Sequence, residues 1–402
     1  MRILFIHNRY LQSAGGEDTT VNAEVDLLLS KGHAVKVLFF DNEAKTGISS
    51  KIKSGLGAVY NRTSALRVKE EIRQFAPDVI HVHNFFFTAS PAVIIEAHKQ
   101  QIPLVVTIQN YRLICANALL LRNNRVCELC VHHAFPWYGV KYKCYHESAV
   151  ESAVVGLMGS VHKMAGTWKK KVDTYIVPAR FMKWRLENSS LRLDTGLIKV
   201  KRNFIDDPGA GRFEQRDNFF LFVGRLAAEK GITVLLNAFR ALPDANIVIA
   251  GDGPDKEALV REFGGLPNVR FVGKKTKEEV IGLMKSCRAL VFPSIWYEGL
   301  PLTIIEAFAT GTPVIASRLG AMEEMISHEG NGILFEPGNA RELEQAILKY
   351  NQYIAQGNYS LYEAARQSYL EQFHPDKCYE EVINIYKHVI ASRQLKKNGI
   401  YG

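Results

Sequence analysis

The sequence predicts an α/β protein built from two doubly wound, parallel-sheet domains facing each other across a cleft. Three observations carry that expectation. At 402 residues the chain is too long for one ordinary core and suits two. Short β-rich runs alternate with helical patterns, as in a parallel sheet covered by helices. The alternation stops at a polar, Pro- and Gly-rich stretch, 206–212, and restarts beyond it.

Residues 3–6, 35–40, 79–82 and 104–108 read as strands from their runs of Ile, Val, Leu and Phe, with helical segments at 18–30, 64–75 and 91–99 between them. Lys31-Gly32-His33 and Ala76-Pro77-Asp78 mark returns from helix to strand. A longer helical region, about 148–171, leads to strands at 174–177 and 198–200. After the linker, strands are expected at 219–223, 247–250, 269–272, 289–292 and 314–316, again separated by helices. The domains are thus 1–205 and 206–375, with the terminal helical segment 376–402 expected to pack back on the first.

Composition narrows the function classes. With 47% hydrophobic, 10% aromatic and 23% charged residues, the chain is neither disordered nor collagen-like. No run reaches the ~18 apolar residues of a membrane span, since 91–108 is interrupted by Glu96, His98, Lys99, Gln100 and Gln101. The opening Ile3-Leu-Phe-Ile6 is short of a secretory core of about 7–15 residues, so a cytoplasmic location is expected. Residues 1–200 carry 26 Lys/Arg against 16 Asp/Glu, whereas 201–402 carry 24 against 25. A one-sided positive field suits an anionic partner, such as lipid headgroups or a phosphorylated lipid, with nucleic acid disfavoured; a solvated basic surface is the competing reading.

Open parallel sheets bind ligands at the carboxyl ends of their strands. Gly224-Arg225-Leu-Ala-Ala-Glu-Lys230-Gly231 follows a strand and opens a helix, placing two cations where an anion can be held. It is not a Walker loop, so the expected ligand is a diphosphate gripped by side chains. Taken alone, an isolated Arg and Lys are more readily a surface turn with solvated charges, and the motifs that follow reverse that balance. Glu298-Gly-Leu-Pro-Leu-Thr-Ile-Ile-Glu306 places one carboxylate in a loop and another on the next helix. A carboxylate can accept both hydroxyls of a ribose or sugar, although paired glutamates also serve as helix caps. Gly251-Asp252-Gly253-Pro254 lacks the third glycine of a dinucleotide fingerprint, which disfavours NAD. Ala14-Gly15-Gly16-Glu17-Asp18 is either a phosphate-facing turn or a plain glycine turn.

These motifs, together with Phe292-Pro293-Ser294 and Gly311-Thr-Pro-Val-Ile-Ala316, strongly resemble the retaining nucleotide-sugar glycosyltransferases of family 4, which have the GT-B fold. The resemblance covers nearly the whole chain and is most specific between 219 and 340. It implies that Arg225 and Lys230 hold the donor diphosphate, Glu306 the ribose, and Glu298 hydroxyls of the transferred sugar. Gly224, Gly251, Gly253 and the backbone amides of Gly299 and Leu300 would line the donor, with Gly15 and Gly16 closing over it. The donor would be a nucleoside diphosphate sugar and the acceptor a sugar or lipid-linked glycoconjugate, with no catalytic metal. A sugar-nucleotide epimerase or phosphorylase, or a catalytically silent binder, are the alternatives. Where many members of the family carry a histidine, this chain has Gln109, which cannot act as a base. His83, and after it His81, are the nearest histidines, with a structural core role as the competing reading.

Cys115, Cys127, Cys130 and Cys144 contain one Cys-x-x-Cys unit, and a structural zinc is expected there, with thiols lacking metal as the alternative. His132, His133 and His146 stand by as replacement ligands. Trp168-Lys-Lys-Lys171 and Arg180-Phe-Met-Lys-Trp184-Arg185 mix aromatics with cations, which fits peripheral contact with anionic membrane at the inner face; amphipathic helices that bury their tryptophans are the competing reading.

Overall fold

The computed structural model describes residues 1–9, 16–42 and 57–397. Two units emerge: Met1–Leu120, Glu128–Asn203 and Cys378–Gly402 form the first, and Leu121–Cys127 with Phe204–Lys377 the second. No helix among the described residues is long and apolar enough to cross a membrane.

In chain order the strands are β1 (Arg2–Arg9), β2 (Ala34–Asp41), β3 (Val79–Val82), β4 (Leu104–Thr107), the two-residue β5 (Leu121–Arg122) and β6 (Arg125–Val126), β7 (Thr174–Val177) and β8 (Ile198–Val200). Six of them form a parallel sheet in the order β2-β1-β3-β4-β7-β8, while β5 and β6 pair as an antiparallel hairpin. β3, β4 and β7 are buried along their whole length, as expected of strands covered on both faces. Helix Arg62–Phe75 is capped by Asn61, whose side chain accepts from Thr63 and Ser64 backbone N–H groups. The terminal helix Pro375–Lys397 puts Val382, Ile383, Tyr386 and Val389 into the core of the first sheet beside Ile3, Phe5, Val79 and Val105.

The expected helix over 148–171 is two helices. Ala149–Met164 ends before Gly166, which has φ +69°, and Thr167–Lys170 follows. A left-handed residue cannot continue a right-handed helix, and only glycine takes that conformation without steric cost.

The second unit contains β9 (Phe220–Val223), β10 (Ile247–Ala250), β11 (Val269–Gly273), β12 (Leu290–Phe292), β13 (Val314–Ser317) and β14 (Gly332–Phe335), parallel in the order β11-β10-β9-β12-β13-β14. The order reverses direction between β9 and β12, and doubly wound sheets place a ligand crevice at that point, beyond the carboxyl ends. In the first sheet the reversal lies between β1 and β3.

Candidate functional site

The carboxyl ends of β9 and β12 meet at the reversal of the second sheet, and the loops after them are tied together. Ile295 N–H donates to Glu229 O (3.0 Å), and the Ser294 hydroxyl reaches the same carbonyl (3.2 Å). Gly231, at φ +68°, is packed so closely that a Cβ would lie 1.9 Å from Pro293 O. The loop after β10 is locked in similarly: a Cβ on Gly251 would lie 1.9 Å from Gly224 O, and Leu226 N–H donates to Asp252 O at 2.9 Å. Gly253 likewise lies against Leu226. These glycines hold three strand ends together.

Into this junction Lys230 and Glu298 point at each other. The Lys230 ammonium donates to Glu298 Oε1 at 2.8 Å. The same oxygen accepts from the Ser294 hydroxyl at 2.7 Å and from the Trp296 indole N–H at 2.9 Å. Lys230 also lies 5.4 Å from the centre of the Trp296 ring, within cation–π range. Glu298 is buried, so its charge depends on these three donors. Arg225 has a largely exposed side chain and pairs with Glu229 one turn away. Gly299 is half-buried and Leu300 buried where the chain enters helix Leu302–Ala309, whose start no side chain caps.

Glu306 lies on that helix. Burial pushes its carboxyl up to about 7, with only partial relief from the Lys277 charge. Its environment thus differs from that of Glu298, and the two carboxylates of one motif are electrostatically distinct.

In the first unit, a small pocket at the carboxyl ends of β3 and β4 is lined by Glu17, His83, Asn84, Gln109 and Asn110 among others. His83 is buried, and neither ring nitrogen has a hydrogen-bond partner among the described residues. Burial and the neighbouring His81 hold it well below the usual histidine range, so it is neutral. The Gln109 amide is engaged with Asn203, at 3.2 and 3.3 Å. Asn110 donates to Glu17 at 2.7 Å, and burial raises the Glu17 carboxyl. Gly16 begins helix Gly16–Ser30 and is exposed; Gly15 lies outside the described residues.

His81 is a structural residue. Its Nδ1 meets the Tyr386 hydroxyl (2.6 Å) and its Nε2 the Thr107 hydroxyl (2.7 Å). Beside it, Glu24 accepts from the Lys201 ammonium at 2.5 Å; burial works against the charge, but Lys201 and His81 hold the carboxyl well below its usual range. Glu24, His81 and His83 are the one group of three or more potential metal-ligand residues whose donor atoms lie within 4.8 Å of one another among the described residues. Lys201 already neutralises Glu24, and both His81 nitrogens are engaged, so these residues do not fit a metal ion.

Two expectations need correction. Cys115, Cys127, Cys130 and Cys144 do not gather into a ligand group among the described residues. The Cys115 thiol donates to Asn117 Oδ1 at 2.9 Å. His132 and His133 are exposed, and His146 pairs with Glu151 at 2.8 Å. Second, Trp168 is no surface anchor: it is buried, with its indole N–H donating to Gly159 O at 3.2 Å. Of the two tryptophans considered, only Trp184 is exposed.

Sequence reasoning missed Trp296 as a partner of Glu298, and the buried Glu24–Lys201 pair. Trp296 lies two residues before Glu298, which is a usable signal. Lys201 and Glu24 are 177 residues apart, and nothing local links them.

The family described as Glycosyl transferases group 1 matches residues 204–353. The sulfoquinovosyl transferase SQD2 of Arabidopsis thaliana is 28% identical over 298 residues, 69% of this chain and 50% of that protein. The O-antigen chain mannosyltransferase C of Escherichia coli is 31% identical over 184 residues, 44% of this chain and 48% of that one. The chain therefore spans about half the length of these relatives. Among solved structures, Anabaena HepE in complex with UDP superposes with a TM-score of 0.68 at 16% identity, over 96% of this chain and all of that one. At that identity the likeness is one of fold, and the fold is GT-B.

Proposed function

We propose, from the premise that this is a GT-B protein with a group 1 glycosyl transferase domain at 204–353, that it transfers a sugar from a nucleoside diphosphate sugar to a sugar or lipid-linked glycoconjugate acceptor, with retention at the anomeric carbon. The observation that carries this reading is the Lys230–Glu298 pair at the switch point of the second sheet. An ammonium held beside a buried carboxylate suits a ligand that brings phosphate charge next to sugar hydroxyls.

The donor diphosphate takes Lys230 and Arg225 as counter-charges, and Glu298 then faces the hydroxyls of the transferred sugar. Glu306 accepts from the ribose hydroxyls once it is ionised. Charge developing on the departing nucleoside diphosphate is stabilised by the two cations and the uncapped start of helix Leu302–Ala309, which is the basis for metal-independent catalysis. In the first unit the neutral His83 contacts a hydroxyl, and Gln109 acts by hydrogen bonding alone.

The test is incubation of the full chain with a panel of nucleoside diphosphate sugars, followed by melting temperature and product analysis. One donor present at 100 times its dissociation constant should stabilise the fold by about 2.7 kcal/mol. Transfer with retained anomeric configuration, unaffected by a chelator, supports the reading. Epimerised donor, phosphorolysis, or tight binding without turnover replaces it with the corresponding alternative.

A further inference from the structure

The pocket at the carboxyl ends of β3 and β4 holds an acid to which the transferase reading gives no part. Glu17 lies in the first turn of helix Gly16–Ser30 and lines this pocket with His83, Asn84, Gln109 and Asn110. Phe85 and Phe86 supply an apolar wall. Polar groups set beside aromatic rings suit a sugar, whose hydroxyls need partners and whose C–H faces pack on apolar surface.

Of these polar groups, the amides cannot remove a proton, and all three are engaged. Gln109 exchanges hydrogen bonds with Asn203. Asn84 donates to Asn8 O at 2.9 Å and accepts from Phe86 N–H at 3.0 Å. Asn110 donates to Glu17 Oε1 at 2.7 Å and accepts from Arg112 N–H at 3.1 Å. His83 and Glu17 are left, and desolvation acts on them in opposite senses because it penalises the charged form. A proton on His83 creates a buried cation near His81 and Lys201, and burial and then His81 hold its pKa well below the usual range. A proton on Glu17 removes a charge instead, and desolvation raises its carboxyl against the pull of the Asn110 hydrogen bond and the nearby His7 and Arg112. The same surroundings thus weaken His83 as a base and strengthen Glu17. Glu17 is half-buried, and with Oε1 taken by Asn110, its Oε2 has no hydrogen bond among the described residues.

We propose that Glu17 is the acceptor-side base of the transfer. Its Oε2 takes the proton of the acceptor hydroxyl as that oxygen bonds to the anomeric carbon; the bond from that carbon to the diphosphate oxygen breaks, and its electron pair leaves with the nucleoside diphosphate. The proton then passes from Oε2 to water. This role rests on the transferase reading and supplies the base that Gln109 cannot be. The test compares the full wild-type chain with Glu17→Gln, whose amide oxygen can keep the Asn110 bond but cannot take a proton. Each is given the nucleoside diphosphate sugar selected by the donor panel, with either hydroxyl acceptors (water and a mixture of methyl glycosides) or sodium azide, which has no proton to lose. Expected in Glu17→Gln are unchanged melting temperature and donor affinity, a loss of about 100-fold or more in transfer to hydroxyls, and glycosyl azide formed no more slowly than by wild type. Undiminished transfer to hydroxyls overturns the proposal and leaves the proton to the departing diphosphate. Equal loss of both products, or no glycosyl azide from the variant, also overturns it and makes Glu17 a structural or donor-binding group. A wild-type chain that binds donor yet releases no nucleoside diphosphate with any acceptor fails the transferase reading itself, and this role with it.

Discussion

Lys230 is neutralised by Glu298, whereas Arg225 is largely exposed and braced by Glu229. Lys230→Ala therefore removes a diphosphate contact and also strands a buried carboxylate, and should lower the catalytic rate by about 100- to 1000-fold. Arg225→Ala should cost a similar factor in rate with little change in melting temperature. Near-normal rates in either folded variant, measured by donor consumption, would remove these residues from the diphosphate site. Glu306 gives a pH signature. Its carboxyl sits at about 7 in the folded chain, so ionisation, and with it acceptance of ribose hydroxyls, increases between about pH 6 and 8. Donor affinity should rise over that interval, and Glu306→Gln should flatten the rise and weaken binding by about 1–3 kcal/mol. Calorimetric titration across the range measures both. At this scale the sequence was legible in position: Arg225, Lys230 and Glu298 follow strand ends and Glu306 lies on the helix beyond, as the motif spacing led one to expect. The support from Trp296 and Ser294, and the turning of Gln109 to Asn203, depend on side-chain directions that spacing does not encode.

The loops after β9, β10 and β12 behave as one element, because Gly231, Gly251 and Gly253 allow their backbones to touch. Gly231→Ala has two faults at once, a positive φ and a Cβ 1.9 Å from Pro293 O, so the β9 and β12 loops must separate. Donor binding should fall in this variant even though no ligand contact is removed, and Gly338→Ala, with φ +79° but open space around it, supplies the control for backbone strain alone. Equal donor affinity in the two variants would show that the loop contact is dispensable. Strands announced themselves through runs of Ile, Val and Phe. The β5–β6 hairpin did not, since two-residue strands carry no periodicity. Helix Ala149–Met164 was foreseen as helical, but apolar residues on both faces hid which side is buried.

Across the whole molecule, buried titratable groups make stability depend on pH in opposing directions. In the first unit, His81 and His83 are held below the usual histidine value of 6.5 and Glu24 well below the usual 4.5, so their stabilising contribution is present above those values and is lost as pH falls. In the second, Glu306 is raised from 4.5 to about 7, so its contribution is present below 4.5 and fades as pH rises through about 7. Unfolding followed from pH 8 to 5 should show the contribution of His81 and His83 being lost below about pH 6.5, and Glu306→Gln should remove the opposing contribution of that one carboxyl. The division of the chain was readable from its restart after 206–212. That Tyr386 would complete a buried network around His81 was not, because 305 residues separate them. That return of the last helix has a consequence for how the protein is made. Translation delivers the first sheet before the second domain, yet Val382, Ile383, Tyr386 and Val389 leave the ribosome only after that domain. The first domain is begun before the second and completed after it, so its nascent sheet must wait, with that part of its core open, while the whole second domain is made. A ribosome stalled short of Cys378 should hold a second domain able to bind donor beside a first domain still open to protease, and release of the remaining residues should close it.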